Sequence, residues 1–205
     1  MAELTVENAA VEKIGTAFER LRAALGSDAT QLWSDASEFY ADAQSGPEDQ
    51  PDCKSRLMRA AVLGAAAAFE STTNYLAEEI AVRGSVGTRH LTETEVDIRR
   101  ERRRVLEGGI IKERKALYSS MNRFLLLYRL LSGGSDYGKK VTGELTESFE
   151  IRDRLVHPKP GAPVSALPHE QLVAAVLGFF RADLALAVVW GKLAGGEQGA
   201  NRSVN

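Results

Sequence analysis

The sequence predicts an all-α fold, an up-and-down helical bundle. Apolar residues recur at three- and four-residue intervals through several long segments, as on the buried stripe of a helix. Short polar, glycine- and proline-containing stretches punctuate these segments at bundle-like spacing. No segment shows convincing strand alternation, no solenoid-length repeat is present, and no glycine-rich phosphate loop of the Walker or dinucleotide type occurs.

The 205 residues suit one domain with an N-terminal extension: residues 1–50 as a helical extension, 51–195 as the bundle, and 196–205 as a polar, glycine-rich tail expected to be disordered. With 44% apolar and 26% charged residues, the composition is that of a soluble globular protein. A net charge of -2 gives no global pull toward polyanions, so nucleic-acid binding would need a local basic patch. The single cysteine, Cys53, excludes an internal disulfide and a thiolate metal cluster, and with the absence of a signal-like segment it points to a reducing cytoplasm. Three histidines, His90, His157 and His169, lack zinc-ligand spacing. No metal and no cofactor is expected.

Along the chain, Val6, Ala10, Ile14, Phe18, Leu21 and Leu25 predict a first amphipathic helix over 5–25, and Leu32, Trp33, Phe39 and Tyr40 a second over 28–43. Gln44 to Asp52, with two prolines, reads as a flexible linker. The strongest periodic segment runs from Cys53 to Val82, through Val62, Ala66, Phe69, Thr73, Leu76 and Ile80; the alanines at 65–68 let a neighbouring helix approach closely. Gly84 to Thr88 reads as a turn. Thr92 and Glu95 have capping-box spacing and predict a helix over 93–104. That helix would carry Arg99, Arg100, Arg102, Arg103 and Arg104, a set suited to phosphate because each guanidinium donates two parallel hydrogen bonds. The same arginines also fit a solvated face paired to Glu93, Glu95, Asp97 and Glu101. After a break at Glu107-Gly108-Gly109, Ile110, Leu117, Met121, Phe124, Tyr128 and Leu131 predict a long helix. Tyr128 and Tyr137 are candidates for base stacking, although Tyr128 fits the heptad core better. The last helix, over 169–193, is apolar on nearly every side, which suits the centre of a bundle or a dimer seam; Arg181 and Asp183 interrupt it before ~20 charge-free residues accumulate.

The remaining helix ends in Ile151-Arg152-Asp153-Arg154-Leu155-Val156-His157-Pro158-Lys159-Pro160. Its apolar arc holds Leu145, Phe149, Ile151, Leu155 and Val156, with Arg152 near the middle. An unpaired buried guanidinium costs several kcal/mol, so Arg152 must meet a carboxylate, lie at a subunit interface or open into a polar cleft. Asp153 and His157 are four residues apart and stack on one face of the last turn, which the two prolines end.

This ending resembles the signature of the HEPN superfamily of helical bundles, in which an arginine and a polar residue precede a histidine at a helix end. Arg152, Asp153 and His157 match an Arg-polar-x3-His form. The run from Ala65 to Asn74 resembles an earlier helix of several branches, with a small-residue run before an aromatic and a polar i, i+4 pair. The likeness spans residues 53–193. It implies a metal-independent endoribonuclease, a toxin or defence effector active as a homodimer, with RNA as substrate and an antitoxin or regulatory protein as a further partner, and no membrane. His157 would move the proton of the 2'-OH, Arg152 would hold the phosphorane oxygens, and Asp153 would orient the imidazole. The products would be a 2',3'-cyclic phosphate and a 5'-OH. Arg154 and Lys159, with Arg99, Arg102 and Arg103, would contact RNA, and Glu70 and Asn74 would support the motif helix. The residues equally allow a non-catalytic module that binds nucleic acid or a protein. There His157 complements the helix dipole, and Arg152 pairs internally with Glu70 or another carboxylate.

Overall fold

A computed structural model of the chain describes residues 27–46, 50–86, 89–99, 102–107, 110–115, 119–135, 137–158, 161, 163 and 167–202. The helix expected over 5–25 lies outside these. The fold is predominantly helical: α1 (Ser27–Ser45), α2 (Pro51–Arg83), α3 (Glu93–Arg99), α4 (Ser120–Leu131), α5 (Lys139–Val156) and α6 (His169–Arg202). Two antiparallel hairpins interrupt the helices, β1 (Ser85–Val86) with β2 (Arg89–His90), and β3 (Arg102–Glu107) with β4 (Ile110–Lys115).

Helix α2 is the centre of the bundle. Pro51 occupies its first turn, where the missing N–H costs nothing. Gly84 closes it at φ 67, donating its N–H to the Ile80 carbonyl, a conformation that glycine adopts without a Cβ penalty. Thirteen of its residues are buried, so the helix is surrounded by neighbours on most of its circumference. Its most extensive neighbour is α1. A Cβ on Gly64 would lie 3.1 Å from Ala36 Cβ, and one on Gly46 would meet Lys54; the two helices therefore run antiparallel and touch through small residues. The polar linker expected over 44–52 is accordingly short, and residues 27–45 belong to the bundle: Ala29, Trp33, Ala36 and Ala43 are buried in the same core as α2.

Phe69 on α2 is the hub of that core. It is fully buried, with ring centroids 5.4 Å from Phe124 on α4, 5.7 Å from Phe149 on α5 and 5.8 Å from Phe179 on α6. Tyr128 and Tyr137 belong to this cluster rather than to a base-stacking surface, packing 4.8 Å from each other and against Phe124. Burial, with the charges of Tyr128 and Glu144 nearby, pushes the Tyr137 hydroxyl up to about 12.

Helix α6 packs against α2, α4 and α5. Its His169–Trp190 part is long and apolar enough to cross a membrane by length and composition alone, yet one face of it is spent on the bundle. Gly178 sets its distance to α5, because a Cβ there would collide with Ser148 Oγ and sit 3.1 Å from the Glu144 carbonyl. The helix continues to Arg202, through most of the tail expected to be disordered.

Two expectations are corrected between residues 93 and 131. The capping box forms as expected: the Thr92 N–H donates to Glu95 Oε2 at 2.9 Å, and the Glu95 N–H to Thr92 Oγ1 at 3.2 Å. The Thr92 backbone N–H and the Arg89 and Thr92 side chains more than offset the desolvation of Glu95 and hold its carboxyl below the usual range. The helix stops at Arg99, however, and Arg102 and Arg103 lie on a strand. The long helix expected from Ile110 is likewise β4 followed by a shorter α4, capped by Ser119 Oγ on the Asn122 N–H. Arg-Val-Leu before Gly108-Gly109 and Ile-Ile-Lys after them combine β-branched residues with a two-residue hairpin signal. Pairing between the two runs overrides the helical reading of either one alone.

Candidate functional site

The end of α5 carries Asp153 and His157 exposed at the surface and sets the half-buried Arg152 beside Glu70 of α2. Arg152 Nη2 donates to Glu70 Oε1 at 3.1 Å, and the same oxygen accepts from Ser120 Oγ at 3.1 Å. Glu70 therefore clasps three helices, α2, α4 and α5. It also sits beside the N-terminal end of α4, where the helix dipole favours an anion. Arg152 Nε lies 3.2 Å from Asp153 Oδ1, within ion-pair distance but outside hydrogen-bonding direction, and the guanidinium carbon stands 5.3 Å from the Phe149 ring centre. The Arg152 side chain keeps 27% of its surface exposed, against 36% for Glu70 and 62% for Asp153.

Of the three alternatives open for a cation on the apolar arc, a carboxylate partner is present within the chain itself. Burying the guanidinium stem over Phe149 contributes apolar and cation–π contact. The charge itself is met by two carboxylates.

His157 caps α5 with its backbone N–H donating to the Asp153 carbonyl at 2.8 Å, and its imidazole is exposed. Asp153 faces Arg152 with its carboxylate, so among the described residues its ion-pair contact is with the guanidinium rather than with the imidazole it was expected to orient. Asn74 is exposed one turn beyond Glu70 on α2, and Arg154 is exposed on α5. Lys159 lies outside the described residues. Arg99 ends α3, while Arg102 and Arg103 begin β3, which packs against α3 and makes no extensive contact with the other helices among the described residues. The candidate residues thus form two groups: a mixed-charge cluster at the end of α5, and a basic segment on α3 and the β3–β4 ribbon.

A groove of about 470 Å³ runs between α5 and α6, lined by Glu144, Glu147, Ser148, Ile151, Gln171 and Arg181 among others. Arg181 donates to Glu144 Oε2 at 2.8 Å across its mouth. Of the candidate site residues only Arg154 lines it. Among the described residues, no three His, Cys, Asp or Glu side chains converge as a metal site would require.

One polar site was missed by the sequence reading. Asp183, noted there only as an interruption of an apolar helix, is completely buried, and its Oδ2 accepts hydrogen bonds from Trp33 Nε1 of α1 and, at 3.0 Å, from Thr72 Oγ1 of α2. Among the described residues, Oδ1 has no hydrogen-bond partner. Burial pushes the carboxyl up to about 8, against the lowering influence of Trp33 and Thr72. The signal for it was the acid itself, set in a helix that is otherwise mostly apolar. No protein-family model, curated protein or solved structure matches the chain.

Proposed function

We propose that this chain is a HEPN-like helical module that binds nucleic acid without cutting it, with the basic segment from Arg99 to Lys115 as its contact surface. The observation that carries this reading is the engagement of Arg152 by Glu70 and Asp153. A phosphate approaching that guanidinium meets two carboxylates within about 3 Å of it, and must displace a contact that also holds the start of α4. Residues 99–115 are the opposite case: eight basic residues stand against three acidic ones, in a chain whose net charge is -2. Segregated arginine of this kind binds phosphates by counterion release. Anisotropy titration with labelled 20-nucleotide RNA and DNA, single- and double-stranded, tests the reading. Binding is expected to weaken steeply between 50 and 200 mM salt, to fail in the triple variant Arg99→Gln, Arg102→Gln, Arg103→Gln, and to survive His157→Ala. No binding to any of these at 50 mM salt refutes it.

The ribonuclease reading has one observation in its favour. The exposed imidazole of His157 and the part-exposed Arg152 side chain lie on the same end of α5. In that reading Glu70 positions Arg152 to meet the charge growing on the phosphorane, a second copy supplies the facing motif, and His157 transfers the proton. Incubation with transfer RNA in EDTA separates the two. Cleavage to 2',3'-cyclic phosphate ends that disappears in His157→Ala replaces the binding module with the nuclease.

A further inference from the structure

We infer that α1 is a releasable arm of the bundle, latched by the Trp33 indole on the buried Asp183 carboxyl and freed when that carboxyl gives up its proton. α1 is the first of the described elements in sequence, so it can swing away while every other helix keeps its place. Its hold on the core is concentrated in one side chain. Ala29, Ala36 and Ala43 are buried with it, and Leu32 and Tyr40 are buried in part, but Trp33 is the one residue of α1 larger than alanine that is fully buried among the described residues. Where α1 meets α2 closely, Ala36 lies against Gly64. Exposing alanine and glycine costs little, because apolar transfer scales with area. An element held by few large apolar contacts opens locally before the whole domain unfolds.

Trp33 reaches across to α6. Its ring stands edge-on to Phe180, with centroids 5.4 Å apart, and its Nε1 donates to Asp183 Oδ2, which also accepts from Thr72 Oγ1 of α2 at 3.0 Å. Asp183 is completely buried and, among the described residues, its Oδ1 has no partner. An ionised carboxylate in that place would keep two hydrogen bonds and lose all its water, so the latched state holds the acid neutral. The groups that face it and set its proton affinity among the described residues are Trp33 and Thr72, neither of them charged. Charges on the same helices are turned elsewhere. On α1, Asp35 accepts from Gln31 at the surface; on α2, Glu70 holds Arg152 and Ser120, and Glu79 pairs with Arg83; on α6, Arg181 holds Glu144 across the α5–α6 groove. Withdrawal of Trp33 lets water reach the carboxyl, which then ionises near its ordinary value of 3.8 rather than near 8. Opening thus releases a proton, and between these values each pH unit favours the open arm about tenfold. Above about pH 8 the latched acid is ionised as well, and the dependence levels off.

Amide hydrogen exchange on the full chain, corrected for intrinsic rates, tests the latch, with the α4 amides as the reference for opening of the whole bundle. At pH 7 the opening constant of α1 is expected to exceed that of α4 at least tenfold. From pH 5 to pH 7 it should rise about a hundredfold. In a Trp190→Phe background the remaining indole Nε1–H is that of Trp33, and its exchange should follow the α1 amides. Asp183→Asn keeps the accepting oxygen and cannot ionise, so it should flatten the rise. Equal opening constants for α1 and α4 would mean that α1 leaves only with the whole bundle, and would overturn the inference. So would a rise absent from the parent, or one that persists in Asp183→Asn. Should the asparagine variant fail to fold, the parent series and the indole exchange decide between these outcomes by themselves.

Discussion

Replacing Asp183 by asparagine should make this protein more stable at pH 8 than its parent, and less so as the pH falls. The carboxyl is completely buried, and its folded-state value of about 8 lies well above the ordinary carboxylate value of 3.8. Between these values the native chain keeps a proton that the unfolded chain releases. The native state thus binds more protons, and stability falls as pH rises, by about 1.4 kcal/mol per pH unit for one group. The contribution is fully present below about pH 4 and is lost by about pH 8. Asparagine presents the same oxygen to Trp33 Nε1 and Thr72 Oγ1 and does not titrate. The stability difference between Asp183→Asn and parent should therefore grow by about 4 kcal/mol from pH 5 to pH 8. Set against a typical total stability of about 5–15 kcal/mol, this is readily measured by urea unfolding. Taking the difference cancels every other titrating group common to the two proteins. Parallel curves for parent and variant would refute the reasoning, since they would mean that Asp183 is ionised in the native state throughout.

Gly178→Ala raises helix propensity by about 1 kcal/mol, yet its methyl group would collide with Ser148 Oγ and crowd the Glu144 carbonyl. Urea unfolding is expected to show a net loss of about 1–3 kcal/mol, whereas a gain would mean that α5 and α6 are not in close contact there. Phe69→Ala empties the meeting point of four helices and should cost about 3–5 kcal/mol in the same assay. Thr92→Ala removes one half of the capping box, an expected loss of about 1 kcal/mol, with faster amide exchange confined to α3.

The α5 cluster illustrates how far local pattern reaches. Periodicity placed Arg152 on an apolar arc and put Asp153 and His157 on the last turn, because a helix fixes the angle between neighbours in sequence. It left three partners open for the guanidinium. Glu70, 82 residues away, is chosen only when α2 and α5 cross. The basic segment shows the opposite limit. Its charges were legible, but a capping box marks where a helix starts and not where it stops, and charged residues carry no hydrophobic period to separate helix from strand.

By itself the sequence determined the helical class, the boundaries of α2, the capping box at Thr92 and the identity of the basic and motif residues. These depend on dihedral preference, side-chain periodicity and caps, all of which act within a few residues. The tertiary structure alone decided that α1 packs into the core, that Arg152 answers to Glu70, that Asp183 bonds Trp33 across 150 positions, and that residues 102–107 pair with 110–115 as a ribbon. Each of these is a contact between distant segments, and its free energy exists only after the chain has brought those segments together.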